Sequence, residues 1–327
     1  MEKGFNISLR GVSHETSGIP MQDYSGTAKC DDYSIAVVCD GHGSPKHFRS
    51  HIGSQLATEV AIGVLKEFAD AYPTYDEASY GFARKANQLR GAIVRSWMAQ
   101  IEQNINDNPF TKEELDYGAK DGKPYFTTYT KYVPYGTTML TALLCKDYYA
   151  LFMIGDGAII KLNPDKKGEL VQFDGKRTGD RVESMCNSNA VYKIYYKIEK
   201  ITEEEKDVAF ALASDGFCES EAFTSKERMM DYAKLYLSHY ADVGLETAVE
   251  EITPYLYSVS KRGSAQDDVS LAFAVNNLKA YRSSEEEEQA ETTETAEQAT
   301  ETAEQTTEQT DAPKDETKAE NTKEQKD

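Results

Sequence analysis

The chain of 327 residues carries 56 acidic side chains against 36 Lys and Arg, which gives a net charge of −20. Because no basic stripe offsets this charge, the sequence is a poor candidate for nucleic-acid binding. The N-terminus lacks the apolar stretch of a signal peptide, and no window approaches membrane-spanning length, so we expect neither secretion nor a membrane anchor.

The charge is concentrated in a C-terminal tail, residues 283–327. This tail has 13 Glu, 3 Asp and 4 Lys, which is −12 and leaves −8 for residues 1–282. It contains no aromatic residue and no Leu, Ile, Val or Met. High charge with almost nothing to bury does not offset the entropy lost on ordering. We therefore predict one folded domain, residues 1–282, followed by a disordered acidic tail.

The cysteines bear on the compartment of the protein. The five are Cys30, Cys39, Cys145, Cys186 and Cys218. They are scattered, odd in number and never form a C-x-x-C pair, which argues against a disulfide framework and against a zinc site. Free thiols are typical of a reducing environment, so we expect a cytoplasmic protein.

In the N-terminal half, strand patterns precede two long helical patterns. Phe5–Ser13 alternates between apolar and polar residues, and Tyr33–Cys39 is a continuous apolar run typical of a strand covered on both faces. Apolar residues at helical spacing then predict helices over Pro45–Ala71 and Gly81–Ile105. The apolar stripe of the first helix is Phe48, Ile52, Leu56, Val60, Val64 and Phe68. Residues 106–133 indicate an insertion or a mobile loop.

The C-terminal half is again rich in strand patterns. Dense apolar runs predict strands over Thr137–Cys145, Tyr148–Gly155, Val208–Ser214 and Val269–Val275. The first two are predicted to form a hairpin, and a helical stretch over Thr224–Ser260 is interrupted by Pro254. Because a consecutive helix pair stands between strands, simple βαβ alternation is disfavoured. The pattern favours two layers of sheet with helices outside, an α+β fold.

Aspartates lie at the ends of these strands: Asp40, Asp156 and Asp215 follow a strand, Asp267 and Asp268 precede one, and Gln22-Asp23 follows the first. Any one of them alone is best interpreted as a turn residue. If the strand ends converge, several carboxylates share one small volume, and their pKa values rise unless a cation neutralises them. Oxygen ligands suit Mg²⁺ or Mn²⁺ rather than zinc. Two such ions about 3.5–4 Å apart activate a bridging water for displacement at phosphorus.

Four stretches in order carry a resemblance: DGHGS, GTTMLTALLCKDYYALFMIGDGAIIKL, ALASDGF and GSAQDDVSLAFAV. Together they resemble the motif series of the metal-dependent protein phosphatases, the type 2C serine/threonine phosphatases, and most closely their bacterial branch. The resemblance spans roughly Ile7 to Val275. It implies a four-layer α-β-β-α sandwich, with two mainly antiparallel sheets flanked by helices. It also implies hydrolysis of phosphoserine or phosphothreonine by a metal-bridged water. We expect no phosphoenzyme, because none of the motifs supplies a placed nucleophile.

The resemblance implies roles for individual residues of a centre with two Mg²⁺ or Mn²⁺ ions. Asp40 would bridge the two metals, and the Gly41 carbonyl would bind one of them. Asp215 and Asp267 match ligands of the first metal. Asp156, together with Asp215, matches the residues that hold a weaker third metal.

Two further residues of the motifs have alternative interpretations. His42 matches the general acid that protonates the departing serine or threonine oxygen, and its alternative is a turn histidine bonded to a carboxylate. Asp268 stands where the family usually has Asn, and it replaces Asp267 as ligand if the register shifts by one.

The sequence departs from the family at two positions. Many relatives have Glu-Asp where this chain has Gln22-Asp23, and a neutral amide contributes no charge, so the second metal should bind more weakly. The eukaryotic branch has a phosphate-binding arginine where this chain has Gly18. Lys46 and Arg49 are possible substitutes, and ordinary solvated charge is the alternative for both.

The sequence is therefore compatible with three functions. The first is a phosphoprotein phosphatase that opposes a serine/threonine kinase and acts as a monomer. The second is a binding or regulatory module that keeps the fold without the activity, which the two departures favour and the intact aspartates disfavour. The third is a phosphatase of a small phosphorylated metabolite, because substrate-binding loops carry no readable code.

Overall fold

The computed structural model describes residues 4–119, 130–175, 182–262 and 266–283. Residues 284–327 of the predicted tail lie outside the described residues, as do residues 120–129 of the predicted insertion. Within the described ranges, no helix combines the length and apolar character needed to cross a membrane.

Two five-stranded sheets form the centre of the described fold, and every strand pair in them is antiparallel. The first sheet has the order β2-β3-β4-β5-β8, and the second has the order β1-β10-β9-β6-β7. The strands are β1 Asn6–Leu9, β2 Tyr24–Lys29, β3 Tyr33–Cys39, β4 Met139–Cys145, β5 Tyr148–Ile154, β6 Ala158–Asn163, β7 Lys166–Leu170, β8 Tyr195–Lys200, β9 Ala209–Ala213 and β10 Val269–Val275.

Helices cover the outer face of each sheet. They are α1 Val12–Ser17, α2 Ser50–Ala71, α3 Tyr75–Ser79, α4 Phe82–Asp107, α5 Lys112–Gly118, α6 Ala190–Lys193, α7 Asp215–Cys218, α8 Lys226–Val243 and α9 Leu245–Ser260. One apolar cluster joins α2 and α4 to the first sheet, a second joins α8 and α9 to the other, and a third lies between the sheets. Every residue of β3, β4, β5 and β10 is buried, because both faces of these strands are covered. The predicted four-layer α-β-β-α sandwich is confirmed.

The first long helix differs from its prediction in where it begins and in which face it buries. Pro45–His47 forms a separate 3₁₀ turn, and α2 begins at Ser50. Small residues such as Gly53 and Ala57 are buried, whereas most of the predicted stripe is only partly buried. A Cβ on Gly53 would lie 1.9 Å from the Tyr135 carbonyl oxygen. The helix therefore approaches its neighbours too closely for large side chains on this face. In α4 the apolar residues at helical spacing in the sequence are all buried: Phe82, Ala86, Leu89, Ile93, Trp97 and Ile101.

Two other boundaries were predicted wrongly. The first strand ends at Leu9 rather than Ser13, and α1 follows directly after Gly11. The C-terminal helical stretch breaks at Gly244, whose φ of 85° is a left-handed conformation that favours glycine. Pro254 instead lies inside α9. Proline has no N–H to donate to the Glu250 carbonyl, and Glu250 lies on an exposed face of the helix. The mixed strands β2, β6, β7 and β8 were not predicted.

Candidate metal centre

Asp40 leaves the end of β3 with its backbone fixed on both sides. Its N–H donates to Thr138 Oγ1 at 3.0 Å, and its carbonyl accepts from the Thr138 N–H at 2.8 Å and from Thr137 Oγ1 at 2.9 Å. The next residue, Gly41, packs so tightly that a Cβ would lie 2.6 Å from the Gln22 carbonyl oxygen. The glycine after Asp40 is thus required by a close backbone approach.

Three of the predicted strand-end aspartates meet at this point. Carboxylate oxygens of Asp40, Asp156 and Asp215 lie within 4.8 Å of one another. Asp156 follows β5, and Asp215 is the first residue of α7 after β9. A Cβ on Gly216 would lie 1.9 Å from the Asp268 carbonyl oxygen, so this turn packs directly on the segment before β10. The strand ends converge as the sequence predicts.

A second group beside the first contains His14, Asp267 and Asp268, again with ligand atoms within 4.8 Å of one another. The charge of Asp267 acts on Asp40 and Asp215, so both groups belong to one acidic pocket. The two adjacent aspartates differ, because the Asp268 side chain is 1% exposed and that of Asp267 is 41% exposed.

The Asp268 carboxylate accepts hydrogen bonds from two backbone N–H groups and one histidine ring. Its carboxylate accepts from the Gly11 N–H at 2.7 Å, from the Gln22 N–H at 2.5 Å and from His14 Nδ1 at 2.9 Å. These bonds attach the N-terminal segment to β10. Asp268 therefore has a structural position, and Asp267 is the better placed of the two to face an ion.

Burial and mutual repulsion shift the acids of the pocket. Burial, followed by the charges of Asp23 and Asp215, raises the pKa of Asp40 well above its usual range. Burial and the Asp268 charge do the same to the pKa of Asp23. Burial raises the pKa of Asp215 to about 6 and also raises that of Asp267. Burial contributes most to these shifts, and the repulsion that the sequence predicts for converging carboxylates without a cation adds to it.

Unsatisfied oxygens show that these residues fit a cation. Asp23 and Gln22 are 3% and 5% exposed, and the buried Asp23 Oδ2 and Gln22 Oε1 have no hydrogen-bond partner in the described part of the chain. A buried oxygen without a partner is costly. The donor set consists of oxygens, which suits a hard divalent ion. The other end of the Gln22 amide donates to Ser50 Oγ at 2.6 Å and to the His42 carbonyl at 3.3 Å.

His42 lies beside a second histidine at the edge of the pocket. The rings of His42 and His47 have centroids 4.8 Å apart. Burial, with a contribution from the charges of His47 and Lys46, lowers the pKa of His42 to about 3, so its ring is neutral in the free protein. A Cβ on Gly136 would lie 2.5 Å from His47 Nδ1 and 2.9 Å from His42 Cδ2. Among the residues that the structure describes, no carboxylate bonds the His42 ring.

The structure places the guanidinium of Arg49, one of the two phosphate-binding candidates from the sequence, among hydrogen-bond partners within the protein. The Arg49 side chain is 6% exposed. Its guanidinium donates to both Glu114 carboxylate oxygens at 2.7 and 2.8 Å and to the Asn108 carbonyl at 2.7 Å. It also donates to Tyr135 Oη at 2.9 Å and stacks over the Phe110 ring. The side chain thereby docks α5 and the segment before it onto the start of α2, so part of the predicted insertion is an ordered, packed element.

Lys46 is the other sequence candidate and has a different environment. It is half-buried in the 3₁₀ turn after the DGHG motif. Burial lowers the pKa of His42 and His47, and the Lys46 charge adds to this; burial raises the pKa of Cys186, and the Lys46 charge opposes it. The ammonium therefore lies near all three side chains. No ion pair holds it in the described ranges.

His14 is the residue of the pocket that sequence reasoning missed. Its partner Asp268 is 254 residues away in the chain, so no local pattern distinguishes His14 from a surface histidine. The hydrogen bond to Asp268, which outweighs the effect of burial, raises the pKa of His14.

A profile of the protein phosphatase 2C family matches residues 10–252, which is more than half of the chain. The chain belongs to the protein phosphatase 2C family. It is therefore a phosphatase of the metal-dependent kind, and its acidic clusters agree with that assignment.

Several solved structures resemble the chain at low identity. A bacterial serine phosphatase is 15% identical, with 85% of this chain and 98% of that chain covered and a TM-score of 0.49. Stp1 from Staphylococcus aureus is 14% identical, with 84% and 97% covered and a TM-score of 0.49. The catalytic domain of PstP of Mycobacterium tuberculosis, in complex with 2 manganese ions, is 15% identical, with 83% and 96% covered and a TM-score of 0.47. No curated protein matches the chain.

Proposed function

We propose that the protein is a Mg²⁺- or Mn²⁺-dependent phosphatase that hydrolyses phosphoserine or phosphothreonine in protein substrates. The observation that carries this proposal is the convergence of Asp40, Asp156 and Asp215 in one pocket with Asp267. The unsatisfied buried oxygen of Asp23 in the same pocket supports it. Divalent ions in such a centre neutralise the charge of a phosphate and acidify a water nucleophile.

The metal ligands of this proposal are those that the resemblance implies. Asp40, Asp215 and Asp267 hold the ions together with the Gly41 carbonyl, and Asp156 contributes to a third, weaker site. Asp23 and Gln22 border the second site. Because Gln22 brings no charge, the second ion binds less tightly than the first.

His42 gives its proton to the departing serine or threonine oxygen. The ring is neutral while the site is free of substrate, since burial lowers its pKa to about 3. A phosphate dianion beside the ring favours the imidazolium and raises this pKa. This is the direction of shift that a proton donor needs.

Lys46 is the proposed phosphate-binding cation. It is half-buried and close to His42, whereas the Arg49 guanidinium is occupied by Glu114 and backbone carbonyls. A lysine attracts phosphate as a point charge and lacks the two-pronged bond of an arginine. We also propose that the enzyme is cytoplasmic and opposes a protein kinase. The five free cysteines support the cytoplasmic location, because free thiols are typical of a reducing compartment.

The test is turnover of p-nitrophenyl phosphate, a phosphothreonine peptide and a small sugar phosphate with Mn²⁺, before and after chelation. We expect activity on the peptide that chelation removes and that D215N reduces by more than about 100-fold. D231N, an exposed aspartate of α8, is the matched control and should leave the rate unchanged. Activity that survives exhaustive chelation contradicts the proposal. Mn²⁺ binding without turnover favours a binding module, and turnover of the sugar phosphate alone favours a metabolite phosphatase.

A further inference from the structure

His14 stands between two adjacent carboxylates at the edge of the acidic pocket. Its Nδ1 lies 2.9 Å from Asp268 Oδ1, and its Nε2 lies 3.5 Å from Asp267 Oδ1. The histidine is 8% exposed and belongs to α1, which follows the first strand. One imidazole ring thus contacts a structural aspartate on one side and a proposed metal ligand on the other.

The Asp268 side of this contact is rigid. The carboxylate of Asp268 also accepts from the backbone N–H groups of Gly11 and Gln22, so its position is set by three bonds from two segments. Because a carboxylate only accepts, Nδ1 of His14 must carry the proton of their bond. This fixes the orientation of the ring and directs Nε2 toward Asp267.

The Asp267 side distinguishes the two oxygens of that carboxylate. Oδ1 accepts from the Asp268 N–H at 2.8 Å and is also the oxygen nearest to His14. Oδ2 makes no hydrogen bond within the described ranges. Asp267 is therefore held by one oxygen, and the other is available to an ion in the pocket.

We propose that His14 is a positioning residue: clamped by Asp268, its ring packs against Oδ1 of Asp267 at 3.5 Å and limits the rotation of that carboxylate, so that Oδ2 is presented to a divalent ion. The inference rests on the proposed function, since Asp267 is a metal ligand there. Partners behind a metal ligand that fix its orientation typically change metal affinity by about 10- to 100-fold when they are removed.

Two amide variants test the contacts of the two ring nitrogens one at a time. In H14N the amide nitrogen ends near the position of Nδ1, so the bond to Asp268 is kept and the contact to Asp267 is lost. In H14Q the amide nitrogen ends near the position of Nε2, so the contact to Asp267 is kept. We expect H14N to raise the Mn²⁺ Kd about tenfold or more and H14Q to raise it less.

The measurement is calorimetric titration of the full, metal-free chain with Mn²⁺. A D40N/D215N variant records the Mn²⁺ that the acidic tail takes up. H239N is the matched control, because His239 pairs with a carboxylate, Glu251, outside the pocket. It should bind Mn²⁺ as the wild type does. Thermal unfolding of each metal-free variant shows whether it is folded. If H14N is not, H14A takes its place, and an H14A chain with wild-type Mn²⁺ affinity overturns the inference.

Coupling to Asp267 separates positioning from direct ligation. In a D267N background, H14N should not change the Mn²⁺ Kd further, because the ligand that it positions is gone. An undiminished effect there overturns the inference, and so does an H14N variant with wild-type affinity in the native background. A wild-type chain that binds no Mn²⁺ overturns the proposed function itself, whereas the other two outcomes leave that function intact.

Discussion

Two groups of buried charge lie close to the end of β3, and they are built in opposite ways. Around Arg49 the charge is balanced, since its guanidinium bonds both oxygens of Glu114 and the remaining donors reach carbonyl and hydroxyl groups. In the acidic pocket Asp23, Asp40 and Asp215 repel one another, and no Lys or Arg of the described chain pairs with them. The first group stabilises the fold, and the second destabilises the metal-free protein in exchange for an ion site.

The largest expected effect breaks the balanced group. R49A leaves the partly exposed Glu114 without its partner and releases α5, so the free energy of unfolding should fall by about 3 kcal/mol, the lower end of the range for a buried pair. Urea unfolding with chelator measures this loss. The kcat of the protein that remains folded should stay within a few-fold of wild type. If R49A instead keeps its stability and loses phosphate affinity, Arg49 is a substrate-binding residue and the comparison fails.

The pH dependence of the metal-free protein tests the unbalanced group. A carboxyl group with a raised pKa holds its proton more tightly when folded, so it favours folding at low pH and loses this contribution as pH rises. For Asp215 the window runs from the ordinary 3.8 to about 6. Above it, D215N should be more stable than wild type by roughly 2–3 kcal/mol.

Urea unfolding of both proteins between pH 4 and pH 8 measures this difference. Chelator is present in one series, and Mn²⁺ replaces it in the other. Mn²⁺ should reverse the order at neutral pH, because only the wild type keeps its ion. Equal stability of the two proteins across the range, without metal, would show that the pocket carries no strain of this kind.

A smaller effect is expected at the proposed phosphate-binding residue. K46A removes the cation near His42, so KM for a phosphorylated peptide should rise about tenfold while kcat changes less. K46R, which keeps the charge, should recover part of the loss. Steady-state kinetics with saturating Mn²⁺ checks this, and a K46A variant with unchanged KM would leave the phosphate without an assigned cation.

The smallest effect concerns the acidic tail. If its glutamates compete for the ions or for basic substrates, a chain that ends at Arg282 should be a few-fold more active at low ionic strength. The difference should vanish at high salt, where screening removes exposed electrostatics. Kinetics that do not change on truncation at any salt concentration would refute this competition.

The sequence predicts what depends on short patterns. The continuous apolar runs of β3, β4, β5 and β10 identify strands covered on both faces, and the aspartates at strand ends lie in the same short windows. The one further condition is that the strand ends converge. They do, and this brings Asp40, Asp156 and Asp215 together.

What the sequence does not predict depends on distant partners. Arg49 and Glu114 are 65 residues apart, and His14 and Asp268 are 254 apart, so nothing local tells a docked arginine or a clamped histidine from a solvated one. The same holds for Gly53, which is required by the approach of Tyr135. Strands with mixed polar residues such as β8 are only half-buried and carry a weak pattern.

The central claim is that the acidic pocket is an ion site, and anomalous diffraction from a crystal soaked in Mn²⁺ tests it most directly. We predict manganese peaks within bonding distance of the carboxylates of Asp40 and Asp215, with Asp267 at the same cluster. Manganese peaks confined to other acidic surfaces, with none between Asp40 and Asp215 at saturating Mn²⁺, would contradict it.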